Sequence, residues 1–251
     1  MFSAEYHPTY EWNTGRKIWH CGGSLLMITI FYLGYNLPEM IWPKISGLMF
    51  LMIFAWTETL MTMIIDIIRF YYPEQNQAIK RWFLWGSWMS RHEHTKFNSA
   101  TYYLLAAAIL ITGYYLGWFS ELVLVMAIAV VGFADPISAL VRYQRQQKGL
   151  GREKLWGLIA YFITSVLVMI AVKWLLQGQL SLNCILCLGA IAAVVESYTM
   201  EGVVMVRPLT IRFQNAVRHW IIEWLFRFFP DDNFAVPIAI AFSAIVLGPV
   251  I

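Results

Sequence analysis

Seven apolar stretches alternate with polar segments along the chain, at roughly 18–37, 44–65, 99–118, 121–141, 155–176, 181–200 and 233–251. Each approaches the roughly 20 residues a helix needs to cross a hydrocarbon core about 30 Å thick. The pattern predicts an all-α fold: a polytopic transmembrane bundle of about seven spans, forming a single integral membrane domain over residues 1–251. The first stretch follows a tail of mixed polarity with no small-residue cleavage signature, so it is expected to be a retained helix rather than a signal peptide.

Two further segments mix aromatic and basic residues. Residues 77–90 place Trp82, Phe83, Trp85 and Trp88 beside Lys80 and Arg81. Residues 210–229 set Ile211, Val217, Trp220, Trp224 and Phe228 at helical spacing against Arg212, Arg218 and Arg227. The first is expected to be a short interfacial helix or a re-entrant piece, and the second a helix lying in the headgroup layer with its cations on the wet side. The second is also placed to shape an entrance for a lipid substrate.

Composition agrees with the pattern. Hydrophobic residues make up 59% of the chain and charged residues 13%, against about 25% charged in a soluble domain. Of the 18 Lys and Arg residues, all but Lys44 and Lys173 fall in the N-terminal tail or in the loops after the second, fourth and sixth stretches. Positive loops are retained in the cytoplasm. The N-terminus and these loops are therefore expected there, with the C-terminus on the opposite side. A formal net charge of +3 suits an anionic membrane surface or a polyanionic substrate. Nucleic acid is not implied, because the basic residues are dispersed over separate loops with no nucleic-acid-binding motif.

The ionisable residues in or beside apolar stretches carry the candidate chemistry. Glu58 falls in the middle of the second. Asp66, Asp135 and Glu196 fall near the cytoplasmic ends of the second, fourth and sixth, and Asp231, Asp232 and Asn233 open the seventh. Ionisable groups at membrane depth are costly and default to function or to pairing inside the bundle. Asp66 and Arg69, three residues apart, have the spacing of a helical ion pair. Carboxylates and an amide gathered with Lys and Arg match what a Mg-nucleotide needs: oxygen ligands for the metal and cations for phosphate. The loop Lys148-Gly149-Leu150-Gly151-Arg152-Glu153-Lys154 precedes a helix and could receive phosphate, or be an ordinary positive turn; it lacks P-loop spacing. His92 and His94 lack a third metal ligand in sequence. Cys184 and Cys187 form a lone CxxC within an apolar stretch and suit packing, and Cys21 has no sequence partner.

The order of these residues resembles the integral-membrane lipid-alcohol kinases: dolichol kinase, phytol and farnesol kinases, and CTP-dependent diacylglycerol kinase. Arg16-Lys17-x-x-His20 is similar to that family's RKxxH opening. Asp66-x-x-Arg69, Pro73, Asn76, Arg91-x-Glu93, Ser99 and Thr101-Tyr102-Tyr103 resemble its next block. Gly132-Phe133-Ala134-Asp135 is similar to the tail of the GDGFAD motif, and Lys154 with Trp156-Gly157 and Ala160 to the lysine block that follows. Glu196, then Asp232-Asn233 and Pro237, resemble the closing element. The departures are specific: Val130 or Val131 stands where the first motif Asp would be, Ser138 and Ala139 replace a glycine and an arginine, and the lysine block lacks its serine.

What the resemblance implies is phosphoryl transfer from a nucleoside triphosphate, CTP or ATP, to a membrane lipid alcohol, with Mg²⁺. Asp135, Lys154 and Glu93 are then the expected catalytic residues. Arg16, Lys17, Arg152, Asp66, Arg69 and Asn233 are expected on nucleotide and phosphate, and Asp135, Asp232 and Glu196 on the metal. A cytidylyltransferase forming a CDP-lipid shares this setting, although its serine-x-x-lysine-arginine signature is missing. A transporter or scaffold is the non-enzymatic alternative, and Glu58 at mid-membrane suits it. The charge pattern itself makes a testable statement. In a background lacking the native cysteines, Lys148→Cys is expected to react with an impermeant maleimide only from the cytoplasmic side, and Gln177→Cys only from the other. Labelling of both from one side would overturn the orientation.

Overall fold

The computed structural model describes residues 14–36, 46–72, 97–213 and 231–247, all their regular structure being helical. The helices are α1 (Thr14–Asn36), α2 (Gly47–Tyr71), α3 (Ser99–Tyr115), α4 (Glu121–Gln147), α5 (Glu153–Leu175), α6 (Leu182–Phe213) and α7 (Asp232–Leu247). Each apolar stretch of the sequence coincides with one of them. Four stretches are long and apolar enough to cross a membrane: Gly47–Arg69, Glu121–Gln147, Glu153–Leu175 and Leu182–Thr199. At 17 and 16 residues, α3 and α7 are shorter. The apolar part of α6 ends at Thr199, but its backbone stays helical to Phe213, past the expected end near 200. A helix closes its own backbone hydrogen bonds and need not stop where hydropathy falls. Residues 77–90 and 214–229 lie outside the described residues.

The helix α4 is the axis of the bundle. Its run Leu122–Val131 is apolar on every side, and such a helix belongs in the interior. Its apolar window is 89% buried, against 22–33% for the other three crossing stretches. It packs against α1, α3, α5 and α7. The outer helices turn Phe50, Leu60, Ile163 and Leu167 outward, the exposure that lipid tails would cover. Proline interrupts two helices, at Pro136 in α4 and Pro237 in α7.

Local chemistry sets the helix ends. Ser46 caps α2 by accepting from the Met49 N–H at 3.2 Å, and Asn98 caps α3 by accepting from the Ala100 N–H at 3.0 Å. These side chains satisfy donors that the first turn leaves over. The α4–α5 turn needs left-handed backbone at Gly149, Gly151 and Arg152, conformations that glycine adopts without steric penalty. Arg145 fastens this turn by donating to the Gly151 and Leu150 carbonyls at 3.2 and 3.3 Å while lying 4.9 Å over the Trp156 ring.

A buried ionic clamp joins α2 to α3. Asp66 Oδ1 accepts from Arg69 Nη1 at 2.6 Å. Its Oδ2 accepts from the Asn98 backbone N–H at 2.8 Å and from Thr101 Oγ1 at 2.7 Å. Both carboxylate oxygens are thus engaged, with Asp66 2% and Arg69 3% exposed. Asp66→Ala removes the counter-charge of a buried guanidinium and releases the start of α3. It is expected to destabilise the protein by about 3–5 kcal/mol in unfolding measurements in detergent, whereas Leu60→Val on the outward face should change stability by no more than about 0.5 kcal/mol.

Candidate functional site

Antiparallel packing brings the start of α1 to the middle of α4. Lys17 Nζ lies 2.8 Å from Asp135 Oδ2, and His20 Nδ1 lies 3.0 Å from the same oxygen. Lys17 and His20 are one turn apart on α1, so they approach this carboxylate along a single stripe. One turn further, Ser24 rests against Gly132, one turn before Asp135 on α4. Tyr32, near the far end of α1, lies beside Glu121 at the start of α4. The register therefore holds along the whole contact.

Two more carboxylates meet Asp135 from other helices. Ligand oxygens of Asp135, Glu196 and Asp232 all lie within 4.8 Å of one another. Asp135 is at the middle of α4, just after its all-apolar run, Glu196 is near the end of the apolar part of α6, and Asp232 is the first residue of α7. Glu196 is wholly buried and receives Arg142 Nη2 on Oε1 at 2.5 Å. Its Oε2 is buried with no hydrogen-bond partner among the described residues. Asp232 Oδ1 accepts from the backbone N–H of Asn233 at 3.0 Å and from Asn233 Nδ2 at 3.2 Å. The same Nδ2 also donates to Asp231 Oδ1 at 2.6 Å.

Arg142 reaches Glu196 through a slot. A Cβ added to Gly157 would fall 2.2 Å from Arg142 Nε and 2.5 Å from its Cγ. Only a residue without a side chain lets the arginine cross α5 there. Ser138 Oγ donates to the Gly157 carbonyl at 3.0 Å and pins α4 to α5 at this crossing. Tyr161, a turn further along α5 and 1% exposed, lies in the electrostatic field of Glu196, Asp232, Asp135 and Arg142.

The charges do not balance among the described residues. Three carboxylates meet two cations, Lys17 and Arg142. Asp232 has no ion pair there, and its charged neighbours are Asp231, Asp135 and Glu196. Charge buried in low dielectric is costly unless compensated, and with Asp135 and Glu196 buried and Asp232 half-buried, a proton or a bound cation can make up the difference. Hard carboxylate oxygens suit a hard divalent cation such as Mg²⁺, and the orphaned Glu196 Oε2 is an oxygen still open to one.

The three residues expected as metal ligands therefore lie together, and Lys17 and Asn233 join them. Lys17, expected on phosphate, contacts Asp135. Arg152 and Lys154 are exposed at the start of α5. Asp66 and Arg69 form the α2–α3 clamp. For Arg16 the backbone alone is described, in the first turn of α1, and Glu93 lies outside the described residues, as do His92 and His94. Glu58 is half-buried at the middle of the apolar stretch of α2, with no ion pair among the described residues. The cysteines are all free, Cys184 buried and Cys187 exposed. Arg142, Ser138 and Tyr161 were not singled out by the sequence; the available signal was that Arg142 lies seven residues after Asp135, two turns along the same face. No protein-family model, curated protein or solved structure matches the chain.

Arg142→Met keeps the bulk of the side chain and deletes its charge, stranding the wholly buried Glu196. The expected cost is about 3–5 kcal/mol. Adding Glu196→Leu should recover most of it, since replacing both members of a buried pair with apolar groups is often near neutral. A double variant no more stable than the single one would show that the pair does not act as a unit.

Proposed function

We propose that this chain is a membrane kinase that transfers a phosphoryl group from a nucleoside triphosphate, CTP or ATP, to a lipid alcohol such as a polyprenol, phytol, farnesol or diacylglycerol. The observation that carries this reading is the convergence of Asp135, Glu196 and Asp232 from three helices, the first two buried and Asp232 half-buried, beside the apolar core of the bundle. On this reading all seven helices cross the bilayer as one domain, with these carboxylates toward the cytoplasmic side and the C-terminus opposite. Phosphoryl transfer asks for positioning and charge neutralisation more than covalent chemistry, and this residue set is suited to both.

Asp135, Glu196 and Asp232 would hold Mg²⁺, which when bound draws charge from phosphate oxygens. Arg142 holds Glu196 in place through its Oε1, and Asn233 orients Asp232 while tying it to Asp231. Lys17, with its ammonium already at the carboxylates, is the cation best placed to meet a phosphate there. Arg152 and Lys154, exposed at the start of α5, would meet the outer phosphates or the base. Asp66 and Arg69 contribute by fixing α3 rather than by touching nucleotide, because both Asp66 oxygens are taken. The lipid tail would lie along the apolar outer faces, with its hydroxyl at the rim.

One observation favours a second reading. Glu58, at mid-span and without an ion pair among the described residues, suits an ion or proton path, since charge at that depth is costly without a function. Nucleotide binding separates the two.

Purified protein in nanodiscs with Mg²⁺, labelled CTP or ATP and a panel of lipid alcohols is expected to place label on a lipid. Asp135→Asn and Glu196→Gln should each lower the rate by about 100-fold or more, while Glu58→Gln leaves it within a few-fold. Release of pyrophosphate instead of a nucleoside diphosphate would assign the chain to cytidylyl transfer. Absence of nucleotide binding would sink both enzymatic readings.

A further inference from the structure

The contact that brings Lys17 and His20 to Asp135 depends on one atom that is missing. An ideal Cβ at Gly132 would lie 2.3 Å from Ser24 Cβ, 2.3 Å from Ser24 Oγ and 3.3 Å from the His20 carbonyl oxygen. Non-bonded carbons rest at about 3.5–4.0 Å, so even the smallest side chain at 132 would force α1 and α4 apart by roughly 1 Å or more. Rotation cannot relieve the clash. The hydroxyl of Ser24 can turn away, but its Cβ is fixed to the helix backbone.

Ser24 cannot readily retreat either. It is wholly buried, and its Oγ accepts from the hydroxyl of Tyr103 on α3 at 2.8 Å. The serine is held between α4 on one side and α3 on the other. His20 and Lys17 lie four and seven residues before it, on the same face of a rigid rod. A displacement at Ser24 is therefore carried to both. The Lys17 hydrogen bond to Asp135 Oδ2, at 2.8 Å, does not survive an added ångström, and the 3.0 Å approach of His20 Nδ1 to the same oxygen opens with it.

We infer that Gly132 is a positioning residue: the absence of a side chain there seats α1 on α4 and so sets Lys17 and His20 onto Asp135. The inference rests on reading Asp135 as part of the functional centre, but its physical content is separable from phosphoryl transfer. In the native arrangement the Lys17 side chain is 12% exposed and tied to a carboxylate, so its amine should acylate slowly.

The experiment measures acylation of Lys17 by a water-soluble N-hydroxysuccinimide ester, followed by peptide mass spectrometry of the full-length protein in nanodiscs. Gly132→Ala is expected to raise the Lys17 rate about tenfold while Lys154, exposed and on another helix, is unchanged. Adding Ser24→Gly removes the two nearest atoms that the new methyl meets and leaves only the 3.3 Å approach to the His20 carbonyl oxygen, so it should return Lys17 most of the way to its slow rate. Adding Ser24→Ala keeps the Cβ clash and should not. An unchanged Lys17 rate in Gly132→Ala, or equal rescue by Ser24→Ala, overturns the inference. If Gly132→Ala does not accumulate, the inference requires that Gly132→Ala/Ser24→Gly does; failure of that pair also overturns it. Slow labelling in the wild type, lost and regained as described, in a protein that transfers no phosphoryl group would sink the kinase reading and leave the role of Gly132 standing.

Discussion

A carboxylate withdrawn from water must find positive charge, and the polar part of this bundle is organised by that requirement. Removing an ion from solvent costs several kcal/mol even after relaxation, more than any single apolar contact in the fold returns. Asp135 meets Lys17 and His20 from α1. Glu196 meets Arg142, which threads past Gly157 to reach it. Asp66 meets Arg69 and the start of α3. These pairings tie helices that apolar packing alone would leave free to slide, because lipid tails solvate a leucine about as well as another helix does. Directional polar contacts fix the register.

The helix α4 is the common member. It supplies Asp135 toward α1, Ser138 toward α5 and Arg142 toward α6. Its upper part is a smooth apolar cylinder, with Leu122 to Val131 all buried. Polar residues begin only where the neighbouring helices present their own. One helix thus divides into a packing half and a chemical half. The division explains why the bundle can carry several ionised groups and still present lipid-compatible surfaces elsewhere.

The helices were legible because crossing a bilayer imposes a length and a hydropathy that periodicity makes visible. The placement of Asp135, Glu196 and Asp232 together was legible in the alternation of the stretches, since Asp135 and Glu196 lie toward the close of the fourth and sixth and Asp232 opens the seventh. Their mutual contact added geometry that counting does not supply. The cations were harder. Lys17 and Asp135 are 118 residues apart, and nothing local to either announces the other. The resemblance of Arg16-Lys17-x-x-His20 to an RKxxH opening puts Lys17 on phosphate; the antiparallel register of α1 and α4 turns it onto a carboxylate. Arg142 looked like one more positive loop residue, and only the gap at Gly157 sends it inward. Asp66 and Arg69 could be paired from spacing alone, but the reach of Asp66 to Asn98 and Thr101 crosses from one helix to the next.

The two prolines have a mechanical consequence. Pro136 directly follows Asp135, and Pro237 lies five residues after Asp232. A proline has no N–H to offer the carbonyl four residues back, which is that of Gly132 in α4 and of Asn233 in α7. At those points each helix can flex without breaking a backbone hydrogen bond. Two of the three helices that bring carboxylates together are therefore compliant beside the carboxylates themselves. Small changes in the spacing of Asp135 and Asp232 can be absorbed there, while the rest of each rod stays stiff.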